Sequence, residues 1–411
     1  MTSMNIPSHV PAGRVHSVDI FAIDPMLQEH QLSLKHMQRA APAAVFWTPH
    51  NGGHWVAGRP DLIERVLGDA AQFSSRCVTV PRQMNPTPPV APLQLDPPDS
   101  LAYRALLASA LSPRAACALA EHARQLARDL VQRLRPQGCC EFMQDFARQL
   151  PIACFLHMCG LPESDHPVLA DIVRRQQDRT DPAAQGHAFQ QQGQYLLAQM
   201  RARRAAPGAD LISQLIAARV AGQPLDDQRL FGLLNMLLVA GLDTVGSAMG
   251  AAARCLARQP ALRARLRAQP ALVPRAVEEM LRRFPLFTAA REVRVDCEMD
   301  GVLLKAGDLI VAPTALCGLD ETRYSAPEAV DVTRPRIRHL SFGAGAHYCP
   351  GATLARAELR VFIETWLEYI PDFAIDPDAP ARLGPGPVAS VLALPLIWPP
   401  ARGASAAGVD H

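Results

Sequence analysis

The 411 residues are 49% hydrophobic and 19% charged, a soluble globular composition with enough apolar side chain to bury a large core in one sizeable domain or two fused lobes. The net charge of +2 comes from dispersed basic residues, which excludes the basic stripe of a nucleic-acid or anionic-membrane binder. Ten cysteines, with Cys139 and Cys140 adjacent, form neither a Cys-x-x-Cys pair nor a zinc-ribbon spacing, so they read as scattered reduced thiols of a cytoplasmic protein.

The first residues, MTSMNIPSHVPAGR, have no apolar core like that of a signal peptide. Residues 1–411 are expected to form one domain, with short flexible ends at about 1–10 and 400–411. Two strand-like runs, AVFWTP and HWVAGR, flank Asn51, Gly52 and Gly53, which is a hairpin signal. The following stretch, VPRQMNPTPPVAPLQLDPPDS, is too rich in proline for a regular helix or a central strand. A loop of that length inside a compact domain is usually functional, often a lid over a site; the plain alternative is a stiff surface connection.

From residue 101 to about 206 the pattern is helical, with breaks at Pro113, at 135–138, at 160–162 and at Asp181-Pro182. Between Pro224 and Pro260 the helical pattern is uninterrupted, roughly 50 Å at 1.5 Å per residue. Its middle is apolar on nearly all faces, which predicts burial, yet the apolar segment 230–242 is broken by Asn235 and stops at Asp243, too short to span a bilayer. Gly241 weakens the helix locally, and the Thr244 hydroxyl can bond the carbonyl of Ala240, four residues back. A short helix bounded by Pro274 and Pro285 puts Glu279 and Arg282 on one face. Alternation in REVRVDCEMDGVLLKAGDLIVAP predicts a small antiparallel sheet.

The chain is organised around residues 342–351, FGAGAHYCPG, followed at once by a helical run that ends before Pro371. Gly343 and Gly345 permit a tight turn, and Pro350 suits the first position of the next helix. Cys349 is thus expected at a helix N-terminus, where the partial positive charge lowers a thiol's pKa and favours the metal-binding thiolate. For a lone cysteine, a buried free thiol is the commoner case.

The spacing Phe342, Gly345, Cys349, Gly351 resembles the heme-binding signature of the cytochrome P-450 superfamily, Phe-x-x-Gly-x-x-x-Cys-x-Gly. Three further stretches match that family in order: Ala240-Gly241-Leu242-Asp243-Thr244, Glu279-Met280-Leu281-Arg282, and Asp96-Pro97-Pro98 with Arg104. The resemblance covers nearly the whole chain and is strongest to the soluble bacterial camphor-hydroxylase-like group. It implies a mainly α fold with a small β-rich region and a long central helix over the heme.

It also implies heme b as cofactor and Cys349 as axial ligand to the iron, with Phe342, Gly343 and Gly351 shaping the cofactor loop. Arg104, Arg291 and His347 would hold the propionates, where charge-assisted bonds make chemical sense. His339 is a secondary candidate, and a satisfied loop histidine is the alternative for His347. Thr244 would hydrogen-bond dioxygen at the iron and Asp243 would gate protons toward it. Glu279 and Arg282 would be structural, pairing beneath the heme rather than on the surface.

Pocket candidates are Met84, Met236, Val239, Ala240, Thr244, Phe287 and Val388, each of which could equally be ordinary core. The implied reaction is insertion of one oxygen atom of dioxygen into a small hydrophobic, terpenoid-like substrate. Electrons would come from a 2Fe-2S ferredoxin and its flavoprotein reductase, docking on a face that includes Arg104. The protein is expected to be a monomer that binds neither nucleic acid nor membrane. Oxidative coupling or desaturation in a biosynthetic pathway is an alternative, and a non-catalytic heme sensor a remote one.

Several positions depart from the family pattern. Ser100 stands where many relatives have histidine, Ala289 where the subgroup has a propionate-side aspartate, and Pro88 where it has a substrate-bonding tyrosine. Camphor is therefore a poor candidate substrate. Pro350 lacks the amide N–H that normally reaches the thiolate sulfur, which predicts a more electron-rich sulfur.

Overall fold

The computed structural model describes residues 6–177 and 181–399. Of the ends expected to be flexible, 1–5 and 400–411 lie outside the described residues. Residues 6–10 are instead tied down, with His9 bonded to Asp308 at 2.9 Å and Val10 buried.

Helix boundaries follow the proline, glycine and aspartate punctuation. Pro113 opens the helix Pro113–Leu134 after Ser112, whose hydroxyl accepts from the Ala115 N–H. Gly138, at φ +73°, ends the 3-10 turn Arg135–Gln137 that follows. Asp181 and Asp226 cap the helices Pro182–Ala205 and Asp227–Arg258 by accepting backbone N–H groups. The strand Cys139–Glu141 and the π-turn Met143–Ala147 interrupt what the pattern predicts as continuous helix. That strand exists because Pro395–Ile397, from the far end of the chain, supplies its hydrogen bonds.

The expected hairpin forms, Val45–Thr48 pairing antiparallel with His54–Ala57 around Asn51, Gly52 and Gly53, all at positive φ. The expected small antiparallel sheet is corrected in part. Thr288–Val293 and Leu309–Pro313 do pair antiparallel, but Leu309–Pro313 also runs parallel to His54–Ala57, making one mixed sheet. Its spatial order is Val45–Thr48, His54–Ala57, Leu309–Pro313, Thr288–Val293, Phe73–Ser74. The proline-rich stretch is a loop broken by the 3-10 turn Arg82–Met84, and its last two residues open the helix Asp99–Leu107.

The central helix Asp227–Arg258 joins two cores. Leu230, Leu234, Leu238 and Leu242 pack with the neighbouring helices, including Gln149–Met158 and Leu211–Ala217. Val245, Met249, Ala253 and Leu256 pack in the other core, with Phe142, Phe146, Phe362 and Trp366. By length and composition the whole helix could cross a bilayer, unlike its 230–242 segment alone; half of its most apolar window is buried inside the fold. All ten cysteines are free.

Glu279 and Arg282 are each 0% exposed. Arg282 donates to both Glu279 oxygens at 2.7 and 2.8 Å and to the carbonyls of Gly318, Pro327 and Ala329. Arg334, unread in the sequence, completes the network by donating to Glu279 at 2.8 Å. A Cβ at Gly318 would lie 2.0 Å from the Arg282 carbonyl, so only glycine fits there.

Deleting one carboxylate from this network strands two buried cations. Glu279→Ala should therefore cost about 3–5 kcal/mol in urea unfolding, whereas Arg59→Ala, which breaks an exposed pair with Asp61, should cost no more than about 1 kcal/mol. His30 and His54 are held neutral by burial, each lowered to about 4, with the charge of Asp19 opposing the shift. Between pH 6.5 and 4 the unfolded chain binds protons that the native chain refuses, so stability falls as pH falls through that window. The urea midpoint at pH 5 should lie below that at pH 7, and His54→Gln should reduce the difference.

Candidate functional site

Residues 342–351 form a closed loop. The Cys349 N–H bonds the Phe342 carbonyl at 2.8 Å, and Gly343 and Gly345 take φ of +70° and +65°. A Cβ at Gly345 would approach the Leu67 carbonyl and Gly68 to 3.0 Å, so the loop presses backbone to backbone on the helix Pro60–Gly68. The following helix is Ala352–Tyr369 with Gly351 as its N-cap, which places Pro350 ahead of the cap and not at the first helical position. The reason lies in the turn, where the Ala352 N–H bonds the Cys349 carbonyl.

Half-buried Cys349 receives the Gly351 N–H at its sulfur. The expected lowering of its pKa is reversed: burial pushes the thiol up, against the pull of that N–H and of Arg104 and Arg356. Coordination to a metal cation would reverse the balance again, because it deprotonates a thiol outright.

The helix Val273–Arg283 clamps this loop from both sides. Glu278 accepts from His339 at 3.1 Å, before the loop, and from Arg356 at 2.6 and 3.1 Å, after it. Burial works to raise Glu278, but the bonds from His339 and Arg356 prevail and hold it at about 2. Ser341 donates to the Leu281 carbonyl, and the Arg356 guanidinium lies 4.5 Å over the Phe342 ring. His339 is thus engaged in the clamp. Neither Glu278 nor Arg356 was legible as a site residue, because no local spacing links them.

Three basic side chains meet beyond the loop. The charges of Arg104 and Arg291 both act on His347, which burial first and these charges second lower to about 4. Arg104 donates to the Tyr348 carbonyl at 2.7 Å. Arg291, 6% exposed, is lowered to about 10 by burial against the pull of Asp96. Among the described residues its hydrogen bond goes to the Ala290 carbonyl, while Asp96 is engaged by Ser74 and the Ser75 N–H. His347 Nε2 and the hydroxyl of fully buried Ser100 have no partner. Buried donors short of acceptors call for further anionic oxygens, and the two propionates of a heme fit that chemistry.

The seam between the two helical cores falls at the centre of the helix Asp227–Arg258. Val239, 45% exposed, with Ala240 and Gly241, forms an uncovered apolar stretch, and Asp243 and Thr244 follow half-buried. Thr244 Oγ1 donates to the Ala240 carbonyl at 2.7 Å. Asp243 has a countercharge unread in the sequence: Arg148, buried, lowered by burial and raised by Glu141 and Asp243, with Nη1 unpartnered. Phe287 and Val388 meet in an antiparallel bridge. Met236 packs half-buried against the leucine core, and Met84 stands 57% exposed on the proline-rich loop.

The comparisons with known proteins agree with this geometry. The family model for cytochrome P-450 matches residues 187–370. A protein named probable cytochrome P-450 127A1, from Sinorhizobium fredii, is 31% identical over 408 residues, spanning 96% of this chain and 97% of that one. The mycinamicin IV hydroxylase/epoxidase of Micromonospora griseorubida is 30% identical, spanning 88% of this chain and 94% of its own. Among solved structures, CYP101J2 superposes with a TM-score of 0.87 at 39% identity, covering 96% of this chain and 99% of that one. CYP101C1 gives 0.85 at 36% identity, covering 96% and 100%. With its cysteine loop and relatives that span its length, the chain belongs to the cytochrome P-450 family, as a heme-dependent monooxygenase.

Proposed function

We propose that this monooxygenase inserts one oxygen atom into a compact, apolar, terpenoid-like substrate, and that Cys349 is the residue that would ligate the heme iron. The observation that carries the ligand assignment is the loop itself: Cys349 lies with the Gly351 N–H at its sulfur, in a turn clamped by Glu278. Arg104, Arg291 and His347 hold the propionates, and Phe342 and Gly343 shape the loop. Bound heme supplies the activation of dioxygen. Thr244 spends its one hydroxyl proton on the Ala240 carbonyl and keeps its oxygen lone pairs to accept from and position a proton donor, and Asp243 beside Arg148 passes protons toward it.

The apolar surface of Val239 and Ala240 and the apolar bridge of Phe287 with Val388 support a hydrophobic substrate. The names of relatives do not narrow it further, since they include mycinamicin IV hydroxylase/epoxidase, nocardicin C N-oxygenase and vitamin D3 dihydroxylase. Electrons are delivered singly by a 2Fe-2S ferredoxin, reduced in turn by a flavoprotein, to a cytoplasmic monomer.

Dithionite-reduced protein with carbon monoxide should show a red-shifted Soret band that disappears in Cys349→Ala. Heme-loaded native protein without that band would overturn the thiolate assignment. Because Pro350 offers no N–H to the sulfur, the native protein should have a lower heme reduction potential than Pro350→Leu; an equal or higher native potential in redox titration would refute this. Members of a terpenoid panel should shift the heme from low to high spin and be recovered with one added oxygen. A panel without any shift counts against the substrate class, and products that have lost two hydrogens would favour desaturation.

A further inference from the structure

A cavity of about 130 Å³ lies between the chain entering the helix His30–Ala40, the C-terminal part of the central helix and the strand Ser390–Ala393. It shares no lining residue with the site described above: Met84, Met236, Val239, Ala240, Thr244, Phe287 and Val388 are all elsewhere. One wall is apolar, formed by Leu286, Leu383 and Val391. The other carries Arg254, Arg258 and Arg283 against Glu29 and Glu328.

The charges on that second wall do not balance. Glu29 is taken by Arg283 at 2.5 Å and lies 3.9 Å from Arg254, beyond hydrogen-bond reach. Glu328 is shared with Arg39 at 3.7 Å. Arg254, 7% exposed, donates through Nη2 to the Gln28 carbonyl, and its Nε–H has no partner. His30, at about 4, and Cys255, at about 12, are uncharged near pH 7 and add no anion. A buried guanidinium on the lining, among more arginines than carboxylates, calls for an anionic acceptor, and the leucine and valine wall calls for carbon.

We propose that this cavity binds a small organic carboxylate, its oxygens on Arg254 and its carbon skeleton on the apolar wall. The volume is close to the roughly 150 Å³ of a cavity that holds benzene, so an occupant of about six heavy atoms fits. Isobutyrate is such a molecule.

The test is calorimetric titration of the heme-loaded full chain at low ionic strength, with isobutyrate, its neutral analogue isobutyramide, and inorganic phosphate. Isobutyrate should bind saturably at one site. Isobutyramide should bind at least tenfold more weakly for want of charge, and phosphate at least tenfold more weakly for want of carbon. Ala251→Leu, which fills the cavity without touching a charge, should abolish binding; Arg258→Gln, at an exposed position, should weaken it severalfold; and Arg254→Gln should weaken it at least tenfold. Retention of the native heme spectrum and Tm by Ala251→Leu and Arg258→Gln separates these effects from misfolding. No saturable isobutyrate binding, equal binding of the amide or of phosphate, or undiminished binding to Ala251→Leu would each overturn the proposal.

Discussion

Two adjacent carboxylates on the helix Val273–Arg283 face opposite tasks, and the position of Cys349 depends on both. Glu279 points into a dry network with Arg282 and Arg334, which ties the helix to the segment around 318–334 that precedes the cysteine loop. Glu278 points toward the loop and holds His339 on one side and Arg356 on the other. Buried ion pairs contribute little net stability, but they tolerate few alternative arrangements, because each charge removed from water must find its partner. A loop built from glycines and a proline has little preference of its own. Here its two ends are fixed by charges on a neighbouring helix, and its path follows.

The same reasoning sets the basic cluster apart from a structural pair. Arg282 has five acceptors' worth of neighbours and is complete. Arg291 is nearly as buried but donates to a single backbone carbonyl, and His347 and Ser100 beside the loop carry unpartnered polar atoms. Equal burial with unequal satisfaction separates a residue that serves the fold from one that serves a ligand. Arg254, on the cavity lining, falls on the ligand side of that division.

Ser100, one of the positions that depart from the family signature, is fully buried with an unpartnered hydroxyl. Ala289 is buried in the sheet and leaves Arg291 without an aspartate two residues away. Pro350 removes one amide from the sulfur and leaves the Gly351 N–H in place. Pro88 and Met84 are exposed on a loop held by its own prolines and by Arg82 bonded to Glu292.

Local signals determined a good part of this protein. Periodicity and punctuation placed the helix Asp227–Arg258, the hairpin and the helix Val273–Arg283, because i to i+4 bonding and tight turns are properties of adjacent residues. The four-point spacing around Cys349 likewise belongs to a single turn. Whatever required distant partners was left to the tertiary structure: the strand Cys139–Glu141, which pairs with Pro395–Ile397; the parallel register that merges a hairpin and an antiparallel strand pair into one mixed sheet; and the countercharges Arg334, Glu278 and Arg148. The thiol of Cys349 shows the division most plainly. A helix N-terminus read from sequence predicts a lowered pKa, but the packing around the loop buries the sulfur, and desolvation outweighs the nearby N–H and arginines, a balance that only the folded chain decides.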